Sequence, residues 1–178
     1  SENVRSLTVG KNLTGEIGYD AYTKLNTLIM KDVQPDADAT FKDRQYLVTK
    51  VYVPEGSLSA YRATECWSRF CNMNGYVGNS VNPVPPTEFD IALDGVYFNI
   101  LDGDELRGVV TYREKLDGKP VPSYSGDVEI PSSITINDFD INVISIGYKA
   151  FEGCEGLTSV TIPETVFGIA KDAFRNCS

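Results

Sequence analysis

VISIGYKAFEGCEGLTSVTIPETVFGIAKDAFRNCS, residues 143–178, contains a pattern and then begins it again. Val143 aligns with Val166, Ile146 with Ile169, Ala150 with Ala173, Phe151 with Phe174 and Cys154 with Cys177, each pair 23 residues apart. A short fixed period with apolar residues in register marks a solenoid. One unit cannot bury its apolar face alone, and its neighbours bury it by stacking. The core of the unit reads L-x-x-V-x-I-P, at Leu157, Val160, Ile162 and Pro163. It predicts a short strand with those apolar side chains turned inward and the residues between them turned out, because strand residues alternate faces. The Ala-Phe segment predicts a return turn that drops its aromatic ring into the same core.

Weaker copies of the unit run through residues 1–54. They fall at Val4, Leu7, Val9 and Gly10, at Leu25, Leu28 and Met30, and at Val48, Val51, Val53 and Pro54. Between the first two, Ile17-Gly18-Tyr19-Asp20-Ala21-Tyr22 mirrors Ile146-Gly147-Tyr148-Lys149-Ala150-Phe151. This alignment sets Tyr22 against Phe151 and makes Phe41 the aromatic of the next unit.

After Pro54 the period changes to that of a helix over about 57–72, with Ser57 as its N-cap. Ala60, Ala63, Trp67, Phe70 and Cys71 share one helical face. A helix of this kind suits the open end of a stack, with one face on the core and one to water. Trp67 then reads as packing under that cap, with a ligand platform as the rival reading. Residues 75–90 carry Pro83, Pro85 and Pro86 and read as an extended linker. Residues 91–142 read as hairpins. VYFNI (96–100) and VVTY (109–112) flank Asp102-Gly103, DVEIP (127–131) and ITI (134–136) follow, and Asn137-Asp138 turns into INVISI (141–146). This strand-rich block is the natural cover for the first full repeat.

Composition excludes whole classes of function. The chain has 178 residues, 16 basic against 25 acidic, a net charge of −9 and no histidine. Nucleic-acid and anionic-membrane binding need a basic face, which this balance does not supply. Without histidine there is no Ser-His-Asp or Cys-His chemistry and no His-ligated zinc within the chain. Cys66, Cys71, Cys154 and Cys177 contain no CxxC pair. Cys154 and Cys177 hold equivalent repeat positions and read as small buried hydrophobes, with a disulfide as the other reading. Asp102, Asp104 and Glu105 in LDGDEL lack calcium-loop spacing and read as a solvated turn. No apolar run reaches the ~18 residues that span a bilayer. No catalytic, cofactor-binding or metal-binding residue can therefore be named.

The outward strand positions are the candidate ligand face, because a solenoid presents its exposed strands to partners. They are Ser6 and Thr8, Thr27 and Ile29, Lys50 and Tyr52, and Ser159 and Thr161. A surface rich in hydroxyls suits hydrogen bonding to a protein or a glycan. Ser and Thr are also ordinary solvated strand residues.

ISIGYKAFEGCEGLTSVTIPETV (144–166) resembles the leucine-rich repeat of BspA-like surface proteins, whose units run IG-x-x-AF-x-x-C-x-x-L-T-S-V-T-IP. The resemblance is close over 143–178 and loose over 1–54. VYVPEGSLSAYRATECWSRF (51–70) resembles the segment that closes such arrays. DGVYFNIL (94–101) with YSGDVEIPSSI (124–134) resembles the segment that opens them. The resemblance implies an exported or surface-attached, non-enzymatic protein of Bacteroidetes type that binds host or microbial surface proteins or glycans. It implies no cofactor and no membrane insertion by this chain.

The expected architecture is α+β and β-rich, a leucine-rich-repeat solenoid in two partial arrays. Residues 1–74 would be the C-terminal end of one array with its capping helix, and 75–90 the linker. Residues 91–178 would be a β-rich opening cap (91–142) followed by the first repeats of a second array (143–178). The order is repeats, closer, linker, opener, repeats, so both ends would expose an unfinished edge. Unpaired edges recruit other strands. The expectation is that the chain is a trimmed or mature fragment that continues past Ser178, or that copies associate end to end. The runner-up reading is a structural spacer that presents other domains.

Overall fold

The computed structural model describes residues 4–11, 18, 19, 22, 24–78, 81 and 87–177. The chain divides into two compact units, Ser1–Pro85 and Pro86–Ser178.

In the first unit β1 (Ser6–Val9), β2 (Thr27–Met30), β3 (Lys50–Pro54) and β4 (Asn72–Tyr76) form one sheet in sequence order. Every pair is parallel, and Leu7, Leu28, Val51 and Met73 stand in one cross-strand row. Leu28 and Val51 are completely buried. The apolar residues read from the sequence thus form the rungs they predict, and Met73 adds a fourth.

Polar side chains stitch each coil to the one before it. The Thr49 hydroxyl donates to the Leu25 carbonyl at 2.9 Å, and the Asn72 amide donates to the Leu47 carbonyl at 2.9 Å. Gln45, buried in α1 (Asp43–Val48), donates to the Tyr19 and Tyr22 carbonyls at 2.8 and 3.2 Å. Its other amide atom accepts from the Lys42 N–H at 2.8 Å. Such bonds satisfy carbonyls that the coils would otherwise bury unpaired.

The aromatic register differs from the sequence alignment. Tyr19, not Tyr22, is the completely buried ring, and it stacks on Phe41 with centroids 4.8 Å apart and planes within 3°. The counterpart pair, Phe151 and Phe174, stacks at 4.8 Å and 5°. Tyr19 precedes Leu28 by nine residues, and Phe151 precedes Val160 by nine. That distance, rather than the flanking Ile-Gly, fixes the equivalence. Ile17, Asp20 and Ala21 of the aligned segment lie outside the described residues.

The single helix expected over 57–72 is two short ones, α2 (Leu58–Ala63) and α3 (Glu65–Ser68), parted by an extended Thr64. Ser57 does not cap α2 through its side chain; its hydroxyl donates back to the Pro54 carbonyl at 2.6 Å. The break changes the buried face. Tyr61, Trp67 and Phe70 are interior, whereas Ala63 is exposed. Trp67 lies edge-on to Tyr61, Tyr19 and Phe41 and donates its indole N–H to the Asp36 carbonyl at 2.7 Å. It is a core residue, not a ligand platform. Of the expected linker, Gly75 and Tyr76 finish β4, and residues 79, 80 and 82–86 lie outside the described residues.

In the second unit β5 (Ile91–Leu93), β6 (Val96–Leu101) and β7 (Arg107–Thr111) run antiparallel. A small hairpin, β8 (Lys115–Leu116) and β9 (Lys119–Pro120), follows, then β10 (Gly126–Glu129) and β11 (Ser133–Ile136). The long β12 (Phe139–Ile146) pairs antiparallel with β11 and parallel with β7. β12 therefore joins the hairpins to the repeats. Gly147 sits at this junction, where an added Cβ would come within 2.7 Å of the Val110 carbonyl oxygen. β13 (Leu157–Thr161) lies parallel to β10, and β14 (Gly168–Ile169) parallel to β12. The second ladder sets Ile146 against Ile169, the step of 23 residues in the sequence.

Burial holds the Tyr19 and Tyr61 hydroxyls well above the usual tyrosine range, and the Asp36 and Asp32 carboxylates respectively push them further up. In the unfolded chain both ionise near ~10. Above that pH the unfolded state releases protons that the native state keeps, so stability falls as pH rises, by about 1.4 kcal/mol per pH unit for each such tyrosine. Thermal melts of the wild type should drop steeply above pH ~10, and Tyr61→Phe should flatten the slope. An identical slope in the variant would show that the Tyr61 hydroxyl is solvated.

Candidate functional site

The expected ligand-facing positions fall into three groups. In the first unit they form two rows across the sheet, Ser6–Thr27–Lys50 and Thr8–Ile29–Tyr52. Ser6 and Thr8, on the first strand, are exposed, and Lys50 is half-buried. Thr27, Ile29 and Tyr52 are buried at 7%, 9% and 9% exposure, so they offer a ligand almost nothing. They occupy inner strands with a neighbour on each side: Ile29 and Asn74 flank Tyr52 in register. Alternation could not tell how closely large neighbours would crowd them.

Ser159 and Thr161 lie in the second unit, and both are exposed. They stand opposite Asp127 and Glu129 of β10, which are also exposed. The Ser159 hydroxyl donates to an Asp127 carboxylate oxygen at 2.6 Å. These four side chains make one continuous polar strand face. Asp127 and Glu129 escaped the sequence reading because DVEIP was taken as part of a cover. Its match to the repeat strand, V-E-I-P against V-T-I-P, was the available signal.

This face borders a cleft of about 620 Å³, within the ~300–1,000 Å³ range of small ligand sites. One wall is the hairpin from Leu93 to Tyr97, and the other is β10 with Ser123, Tyr124 and Ser125. The hairpin turns tightly through Asp94 and Gly95, both with positive φ (48° and 81°), which suits the twist of the flanking strands. Tyr97 packs against Phe89 with ring centroids 4.8 Å apart. Asp94, Asp127 and Glu129 contribute three carboxylates to the lining, which holds no lysine or arginine.

Tyr124 anchors the floor. Its hydroxyl is inserted between β6 and β7, accepting from the Tyr97 N–H at 3.2 Å and donating to the Thr111 carbonyl. Its ring lies 4.5 Å from Phe151, which stacks on Phe174. Burial drives the phenol well above the usual tyrosine range, so it stays a protonated donor. One side chain therefore ties the hairpin wall to the first repeat aromatic.

No positive sign of catalysis accompanies this geometry. Among the described residues no group of three or more Cys, Asp or Glu side chains is placed to hold a metal ion. The LDGDEL segment is a surface turn, with Asp104 and Glu105 exposed. All four cysteines are free thiols. Cys154 is buried, and Cys177 donates to the Phe151 carbonyl at 3.0 Å. No helix among the described residues is long and apolar enough to cross a membrane.

The family comparison bears on the second unit. The family model described as BspA type leucine-rich repeat region (6 copies) matches residues 129–178. Those residues are similar to BspA-type leucine-rich repeats. The match begins at Glu129, on the cleft, and runs through both copies of the Ala-Phe motif. A crystal structure of a leucine-rich repeat protein from Bacteroides ovatus ATCC 8483 is 33% identical, with a TM-score of 0.41. The similarity covers 51% of this chain and 22% of that one, so the chain spans about a fifth of its length. No protein of curated function matches. The fold is of leucine-rich-repeat type, β-rich with few short helices and no closed barrel among the described residues. The BspA-type assignment accords with a protein-binding module.

Replacing Tyr124 by Phe leaves the Tyr97 N–H and Thr111 carbonyl without their shared partner. The expected loss is about 1–3 kcal/mol, seen as a lower urea midpoint by far-UV circular dichroism. An unchanged midpoint would mean that water replaces the hydroxyl.

Proposed function

We propose that this chain is a non-enzymatic binding module of an extracellular or cell-surface protein, recognising a surface protein or glycan of a host or another microbe. The observation that carries the proposal is the continuous exposed face of Asp127, Glu129, Ser159 and Thr161 beside the cleft. Side chains on a rigid ladder lose little entropy when they bind. Parallel rungs in both units support a solenoid in two partial arrays. In that reading α2 and α3 close the first array, β5–β11 open the second, and the proline-rich segment links them.

Immobilised protein on an array of extracellular-matrix proteins and glycans should bind a discrete subset. Ser159→Lys with Thr161→Lys should abolish those signals, and Ser6→Lys should leave them. A blank array would instead favour the spacer reading, which the burial of Thr27, Ile29 and Tyr52 already favours for the first unit.

The proposal includes end-to-end contact between copies. At β14 and the residue before it, Phe167 is 79% exposed and Ile169 56%, side chains whose equivalents Ile144 and Ile146 are half-buried and fully buried. Sedimentation of the wild type should show a concentration-dependent dimer that Phe167→Lys removes. A strict monomer at all concentrations would exclude the contact.

A further inference from the structure

β10 is bonded to β13 along one edge only. Its Gly126 N–H donates to the Gly156 carbonyl at 2.7 Å, and the next residue beyond the strand, Ile130, donates to the Thr161 carbonyl at 3.0 Å. In a strand, successive main-chain groups point to opposite edges, so Asp127 and Glu129 direct their N–H and C=O away from β13. Among the described residues no strand pairs with that second edge. The cleft lies there. Residues of β10 and of the Leu93–Tyr97 hairpin line it, and no residue of β13 does.

Charge selects the occupant. The lining supplies Asp94, Asp127 and Glu129 and no basic group, in a chain whose net charge is −9. Asp127 and Glu129 stand two residues apart, the spacing at which one face of a partner strand presents alternate side chains, about 7 Å. Tyr97 adds a half-buried aromatic ring, whose face attracts a cation.

We propose that the cleft binds an extended, basic segment of another protein, which adds as a strand to the free edge of β10. Its main chain hydrogen-bonds to Asp127 and Glu129, and lysine or arginine at alternate positions meets the carboxylates. This is recognition by strand addition, in which the backbone supplies affinity and alternate side chains supply selectivity. The proposal rests on the binding-module reading and names the partner chemistry for the cleft beside the Ser159 and Thr161 face.

The test uses the intact chain and a fluorescent, end-blocked Lys-Thr-Lys-Val-Lys-Thr peptide, followed by fluorescence polarisation. The peptide should bind, more weakly as salt rises. Its alternately N-methylated form should bind roughly tenfold or more weakly, because it cannot donate to the strand edge. The same loss is expected for Asp127→Asn with Glu129→Gln at an unchanged melting temperature, and the Glu-for-Lys peptide should not bind. Absence of binding overturns the proposal. Affinity unaffected by N-methylation also overturns it, since that is charge attraction alone. Displacement of the peptide by a neutral oligosaccharide assigns the cleft to glycans instead. An array signal lost in the Ser159 and Thr161 variants but kept in the Asp127 and Glu129 variant would overturn this proposal and leave the binding-module reading standing.

Discussion

The structure depends on the constraint that each coil must place its peptide groups directly over those of the coil before it. Parallel strands supply half of this through their ladders. The return segments have no continuous ladder, and there Thr49, Asn72 and Gln45 reach back to the carbonyls of the preceding coil. With steps of 21, 23 and 22 residues from Leu7 to Leu28, Val51 and Met73, rings fall on rings and aliphatic side chains on aliphatic side chains. The stacks of Tyr19 on Phe41 and Phe151 on Phe174 follow from that register. The return segments absorb differences in that step, whereas a one-residue slip within a strand would turn its side chains to the opposite face.

The rungs were readable because their apolar residues recur at a fixed step and burial demands that they do. What the sequence concealed had specific physical causes. The fourth strand, Asn72–Tyr76, carries one large inward side chain, Met73, among polar residues and a glycine. It was visible only as a step of 22 residues from Val51. The helix break at Thr64 lies within a run whose apolar residues still satisfy a helical wheel. Thr64 instead goes extended, with its hydroxyl bonded to the Ala60 carbonyl at 3.0 Å. Of the candidate ligand-facing positions, Ser6, Thr8, Ser159 and Thr161 are exposed. Thr27, Ile29 and Tyr52 are buried, because crowding by cross-strand neighbours does not appear in alternation. The cleft was illegible for another reason. Its walls lie about thirty residues apart in the chain, and no motif links Asp94 to Asp127.

Tyr124 shows how a hairpin block and a repeat array share one core. An antiparallel block and a parallel stack have different hydrogen-bond geometries, and something must reconcile them at the seam. β12 does so by pairing antiparallel with β11 at its start and parallel with β7 and β14 toward its end. Gly147 admits the close approach of the Val110 carbonyl. The Tyr124 phenol fills the gap where β6 and β7 separate, and its ring continues into the Phe151–Phe174 stack.

The direction of the bonds between rungs has a mechanical consequence. Across β1 to β4 the ladder hydrogen bonds run from strand to strand, along the direction in which the coils accumulate. Tension applied along that direction loads the bonds end-on and in series, so every interface carries the same force and the weakest one yields first. Each released coil of 21 to 23 residues extends to roughly 75 Å, many times the ~4.8 Å it occupied between neighbouring strands. Nearest-neighbour stacking lets a coil re-form on the edge below it when the load falls.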